Sequence, residues 1–259
     1  MPSYSKVKQG KISDIIADQL ESNILQGVLV PGEKLPSERD LAKQMNVSRP
    51  SLREAIQKLE NQELLETRQG GGTYVRNFLA PTLTDPLARL LQNSEDAAQD
   101  FLEFRMSADA GTAYYAALRA TDADRELLKA CFSAMEEAHN TDDPTEEAEI
   151  DADFHLIIAE AAHNVVLLHI MRALFELFKN GVFYNRNQLY VRPGARDMLL
   201  KQHRAIYEGI MNADPEAASA ATISHLKYVQ EACRDMGRED MREEVSRRRL
   251  SRYLEKREE

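Results

Sequence analysis

Cysteine is nearly absent from this chain: two in 259 residues, Cys131 and Cys233. Far apart and without metal-type spacing, they exclude a disulfide framework and a zinc ribbon, and both read as buried thiols. Long apolar runs are missing too. Nothing approaches the roughly 18 residues of a membrane span, and the opening MPSYSKVKQG has no signal-peptide core, so the expectation is a cytoplasmic protein with no membrane partner. No internal repeat is evident. The glycines at 70–72 are not followed by Gly-Lys-Ser/Thr and no helix opens after them, which excludes a phosphate-binding P-loop there.

What is present is ordinary soluble-domain composition, 43% hydrophobic and 29% charged. A chain of this length is expected to form two domains, each able to bury its own core. The net charge of -10 is unevenly spread. Residues 1–78 carry 11 Lys and Arg against 10 Asp and Glu, net +1, and the other 181 carry 22 against 33, net -11. The acidity belongs to the second part, so the first is not repelled by phosphate.

Residues 11–27 place Ile12, Ile15, Ile16, Leu20 and Ile24 at helical spacing, and Gly27 stops the helix. After the turn LVPGEKLP, Ser37 can cap a short helix, with Asp40 three residues on completing a capping-box-like pair. Leu41 and Met45 face inward. Asn46 and Val47 make a turn, Ser48 can cap again, and Pro50 is tolerable in the first turn of a third helix, Arg49 to Gln62. Two short helices around a tight turn, the second opening Ser-Arg-Pro-Ser, predict a helix-turn-helix. Arg49 and Arg53, four apart, share a face near the N-terminus of its recognition helix, where arginine can grip a guanine edge. The β-prone runs LLETRQ and TYVRN flank Gly70, Gly71 and Gly72, a hairpin whose bare tip can approach a phosphate backbone or a minor groove. A charged helix face or a GGG alone is more often a solvated face or a flexible turn; their order favours a recognition helix and wing. One recognition helix reads too few base pairs, which predicts a homodimer on a palindromic double-stranded operator.

The predicted domains are 1–77, a winged helix-turn-helix; 78–96, a linker with a short helix; 97–236, an all-helical sensor; and 237–259, a charged tail. The fold class is mainly α, a winged helix with a small β-hairpin followed by an antiparallel helical bundle. Bundle helices are expected at 97–119, 122–139, 145–162, 165–184, 195–212 and 215–236, the last capped by Asp214 before Pro215, with Asn164 separating two others. The tail reads as a solvated or frayed helix, with Arg247, Arg248 and Arg249 as a lesser candidate for DNA contact.

Three histidines lie on apolar faces of different helices. Asp151 and His155 are i, i+4 and point the same way. His203 shares its face with Leu199, Ile206 and Ile210, and His225 with Ala221, Val229 and Ala232. One inward histidine is more often a hydrogen-bonded core residue; three with an aspartate at chelate spacing favour one divalent ion, Zn, Ni, Mn or Fe(II). His163 reads as a helix-end residue, His169 as packing and His139 as surface. A metal-dependent hydrolase or lyase fits the same ligands, because four protein donors leave positions for water and substrate. Against it, Glu160 lies about 140° round the helix from His155, so no general base is evident.

The run PGEKLPSERDLAKQMNVSRPSLREAIQKLENQELLETRQGGGTYV resembles the winged-helix signature of the GntR superfamily of transcription regulators. The resemblance implies operator contacts from Arg39, Arg49 and Arg53, support from Ser48 and Ser51, and wing contacts from Gly70, Gly71 and Gly72. The spacing of Asp151, His155, His203 and His225 resembles the metal set of the FadR-type (FCD) ligand-binding domain. EFRMSADAG resembles that domain's first long helix, which implies Arg105 as the holder of a carboxylate effector; the family usually has Glu where this chain has Asp109. NVSRPSLREAIQKLE, TRQGGGTYV, AYYAALRAT and EAAHNVVLLH resemble most the subgroup that represses the pyruvate dehydrogenase complex. That implies a repressor, not an enzyme, released by pyruvate from TGGT-type half-sites, with lactate- or glycolate-responsive regulators next.

Overall fold

The computed structural model describes residues 10–77, 95–141, 143–179, 189, 190, 192 and 194–258. The chain is mainly α and divides into two compact units, Met1–Leu83 and Thr84–Glu259.

In the first unit α1 spans Ile12–Leu25. Ile16, Ala17, Leu20 and Ile24 are buried on one face, but Ile12 and Ile15 are exposed. At roughly 100° per residue these two sit about 90° and 150° from the centre of that face, so the period that placed them inward was too generous. Gly27 ends the helix at φ 76°, a left-handed residue that costs glycine little. Two capped helices follow. Ser37 Oγ accepts from the Asp40 amide at the start of α2 (Glu38–Gln44) and donates to its carboxylate at 2.6 Å. Ser48 Oγ accepts from the Ser51 amide at the start of α3 (Arg49–Asn61), with Pro50 in the first turn. Between them Asn46 takes φ 52° and turns the chain. Strands β1 (Leu65–Arg68) and β2 (Gly72–Val75) pair antiparallel, Leu65 opposite Val75 and Arg68 opposite Gly72. Leu20, Ile24, Leu52, Ile56, Leu59, Leu65 and Val75 form one core that fixes α3 and the hairpin against α1.

The second unit contains α4 (Glu95–Arg119), α5 (Asp122–Thr141), α6 (Pro144–Ala161), α7 (Val165–Lys179), α8 (Ala195–Met211) and α9 (Pro215–Glu258). Helix starts follow side-chain caps: Asp143 accepts from Thr145 and Glu146, Asn164 from Val166 and Leu167, and Asp214 from Ala217. Phe132, Phe154, Ile158, Ile206 and Ile210 centre the packing of α5, α6 and α8. α8 meets α9 at Gly209, where a Cβ would lie 2.7 Å from the Ala218 amide nitrogen.

Some sequence expectations need correction. The helix expected to end at 236 runs on as α9 to Glu258, through the charged residues read as a solvated or frayed helix; Arg and Glu there are good helix formers and no proline intervenes. The linker helix expected near 87–91 and the end of the helix expected to reach 184 lie outside the described residues. Cys131 and Cys233 are partly buried rather than fully so, and burial pushes both thiols up to about 12. His139 is not a free surface residue: Nδ1 lies 3.0 Å from Glu147 and Nε2 3.1 Å from Asp197. His163 does end a helix, at φ 46°, with Nε2 2.8 Å from Asp124. His169 is buried.

Candidate DNA-binding face and metal centre

Arg49 and Arg53 project from the first turns of α3 onto an exposed face with Pro50, Glu54 and Gln57. Both are held by Glu38 of α2. Arg53 donates to its two oxygens, from Nη2 at 2.7 Å and from Nε at 3.3 Å, and Arg49 Nη2 lies 3.7 Å away. The Arg53 hydrogen bonds hold the Glu38 carboxyl below its ordinary range. Sequence reasoning missed Glu38, whose partner is 15 residues away and is brought near only by the angle between α2 and α3. Arg39 is 82% exposed and lies 3.6 Å from Asp40. The hydroxyls of Ser48 and Ser51 face each other at 2.8 Å, so both serve the helix cap. In the wing, Gly70 takes φ 73° at the tip, and a Cβ on Gly72 would meet Lys34 Cε at 2.8 Å. The Tyr74 ring packs beneath Arg68, whose Cζ lies 4.3 Å from its centroid.

In the bundle, Asp151 and His155 of α6, His203 of α8 and His225 of α9 converge, all buried, each offering an atom within 4.8 Å of the others. The imidazole centroids are 4.5–5.5 Å apart. His203 Nε2 stands 2.9 Å from Asp151 Oδ1, and His155 Nε2 stands 3.8 Å from the same oxygen. Despite that approach, neither ring nitrogen of fully buried His203 has the alignment of a hydrogen bond. Such a residue costs stability unless something else takes its lone pairs. Two donors about 2.1 Å from one ion and 90° apart are themselves about 3.0 Å apart, and trans donors about 4.2 Å, so this set fits a divalent cation with only slight contraction. Burial holds the His155 pKa well below its ordinary value, helped by Arg105 and the other two imidazoles and opposed by Asp151, which keeps its lone pairs available. His225 Nδ1 lies 3.1 Å from Gln202 Oε1, an acceptor that leaves Nε2 unprotonated for a ligand. Gln202 carried no sequence signal.

Beside this cluster Arg105 and Asp109 of α4 pair at 2.5 Å, both buried. Asp109 Oδ2 is also 3.9 Å from His155 Nδ1, and the guanidinium lies over Phe175, 5.4 Å from its centroid. Counted by formal charge, two aspartates and one arginine give the site one net negative charge. Glu160 faces elsewhere, accepting from Arg172 at 2.7 Å.

Comparison with known proteins matches the model described as bacterial regulatory proteins, gntR family, to residues 12–75, and the FCD domain model to residues 100–228. The chain is 39% identical over 223 residues to the "Putative L-lactate dehydrogenase operon regulatory protein" of Escherichia coli (strain K12), covering 85% of each. It is 32% identical over 234 residues to the Glc operon transcriptional activator of the same strain, covering 89% of this chain and 92% of that one. Identity to the HTH-type transcriptional regulator LutR of Bacillus subtilis (strain 168) is 33% over 210 residues, covering 80% and 94%. Among solved structures, Streptococcus agalactiae GntR is 26% identical with a TM-score of 0.51, covering 85% of this chain and 99% of that one. These relatives are regulators rather than enzymes. With a DNA-binding unit ahead of an FCD unit, and relatives that align along most of its length, this chain belongs to the GntR family of bacterial transcription regulators.

Proposed function

We propose that this regulator is a homodimeric repressor that senses a small 2-hydroxy- or 2-oxo-monocarboxylate, L-lactate first, at a metal centre made by Asp151, His155, His203 and His225. The observation that carries this reading is the convergence of those four buried side chains beside the buried Arg105–Asp109 pair, and formal charge shows what it can hold. Two aspartates and one arginine sum to -1, a divalent ion brings the total to +1, and one monocarboxylate closes it to zero. A buried anion is costly unless so compensated. Three imidazoles and one carboxylate suit Zn, Ni, Mn or Fe(II), and the bound ion would supply a Lewis-acidic centre with positions left for the effector's oxygens. Arg105 orients the effector's carboxylate by a charge-assisted pair, for which Asp109 must give up part of its own hold on the guanidinium. Gln202 fixes His225. Phe175 keeps the guanidinium dry on one side.

Pyruvate was the effector implied by sequence resemblance. The name of the 39% identical relative moves L-lactate ahead of it, with glycolate as a third arm. At the operator, Arg49 and Arg53 read base edges, Arg39 and the Gly70–Gly72 tip meet the backbone, and Ser48 and Ser51 hold the recognition helix at its start. The effector acts through its differential affinity for two arrangements of the dimer, only one of which suits a palindromic operator. Calorimetry tests the site: L-lactate titrated into metal-loaded protein binds one per chain, and Arg105→Gln weakens it at least about tenfold. Unchanged affinity in that variant would remove Arg105 from the site.

A further inference from the structure

The far end of α9 segregates its charges. At roughly 100° per residue, Arg238, Arg242, Val245, Arg249 and Arg252 fall within an arc of about 80° that holds no acidic residue among the described ones, while Glu243 falls on the opposite side, paired with Arg247. The four arginines of the arc are exposed. From Arg238 to Arg252 the stripe is about 21 Å long. A solvated charged helix normally alternates sign so that i, i+4 neighbours attract. Here Arg238 and Arg242 are like-charge i, i+4 neighbours, an arrangement that weakens an isolated helix. Among the described residues of the arc, only Arg238 has an ion-pair partner on the helix, Asp235, at 3.8 Å. A polyanion laid along the stripe would relieve that repulsion.

We infer that this stripe is a second DNA contact, sequence-independent and directed at phosphates. A duplex carries one negative charge per about 1.7 Å of axis, both strands counted, so the roughly 21 Å beside the stripe holds about twelve phosphates, of which only those on the near side face the arginines. A membrane surface fits poorly, because the arc holds one apolar residue, Val245, and Leu250 lies off it. Self-association through the stripe fits poorly too, since a two-fold interface would set arginine against arginine. The contact rests on the DNA-binding activity of the family and not on the effector reading.

The test compares two full-length variants of equal net charge: Arg249→Gln/Arg252→Gln on the stripe and Arg247→Gln/Arg257→Gln off it. Fluorescence anisotropy with a labelled random-sequence duplex is followed across a potassium chloride series, with sedimentation and far-ultraviolet circular dichroism of each variant. The expected result is that the stripe variant lowers the slope of log K against log salt by about 2 per bound chain, and its low-salt affinity by at least about tenfold, with wild-type helicity and mass. The off-stripe variant keeps the wild-type slope. Equal slopes in all three proteins, equal losses in both variants, or a change of mass without a change of slope would each overturn the contact.

Discussion

His203 is the residue at which a metal ligand and a packed core histidine give opposite outcomes. Its side chain is fully buried and, although Nε2 stands 2.9 Å from Asp151 Oδ1, neither ring nitrogen makes an aligned hydrogen bond, so without an ion it carries a desolvation cost of up to about 1–3 kcal/mol, less whatever the Asp151 contact returns. His203→Leu removes that cost at similar volume. For a unit of this size each kcal/mol moves the melting temperature by about 2–4 °C, so the chelated variant is expected to melt at or above the chelated wild type, by up to about 12 °C. Metal then separates them. At free ion about a hundredfold above Kd, wild-type protein gains about 2.7 kcal/mol, or about 5–11 °C, and the variant gains little. Differential scanning calorimetry of both proteins, chelated and with Zn, Ni or Mn, resolves the second unit from the first. If the chelated variant melts well below chelated wild type, His203 is a satisfied core residue. If metal raises both proteins equally, the ion sits elsewhere. Either result refutes the reasoning.

Arg53→Ala is expected to weaken specific DNA binding about ten- to a hundredfold in a mobility-shift titration, with the second unit's melting unchanged. Glu38→Gln releases both arginines and should raise affinity for random-sequence duplex with a steeper salt dependence; lowered affinity would mean that Glu38 positions them productively. Gly209→Ala forces a Cβ to within 2.8 Å of the Ala218 backbone; about 1–3 kcal/mol of overpacking less about 1 kcal/mol of helix propensity leaves a net loss of up to about 2 kcal/mol in urea unfolding.

The winged helix was legible because its signals are local. Ser37 and Ser48 cap within three residues, Asn46 supplies the turn, and the glycines punctuate the hairpin. The convergence of Asp151, His155, His203 and His225 was legible for a related reason: Asp151 and His155 share a helix face, and His203 and His225 each stand among apolar residues at helical period. Glu38 and Gln202 were not, since a carboxylate or amide at a helix surface gives no sign of which distant side chain it will meet. His139 failed likewise: its partners Glu147 and Asp197 lie on α6 and in the first turn of α8, joined by the bundle alone. At the far end of α9, dense charge read as a tail, although its order around the helix was already in the sequence.

Binding to a duplex selected from genomic DNA by the protein itself, measured in metal-loaded and chelated protein with and without L-lactate, tests whether the metal-centred site governs the DNA-binding unit. The account predicts that lactate weakens DNA binding by about 5- to 150-fold in metal-loaded protein and has no effect after chelation. An equal effect of lactate in chelated protein, or none from L-lactate, glycolate or pyruvate in metal-loaded protein, would contradict it.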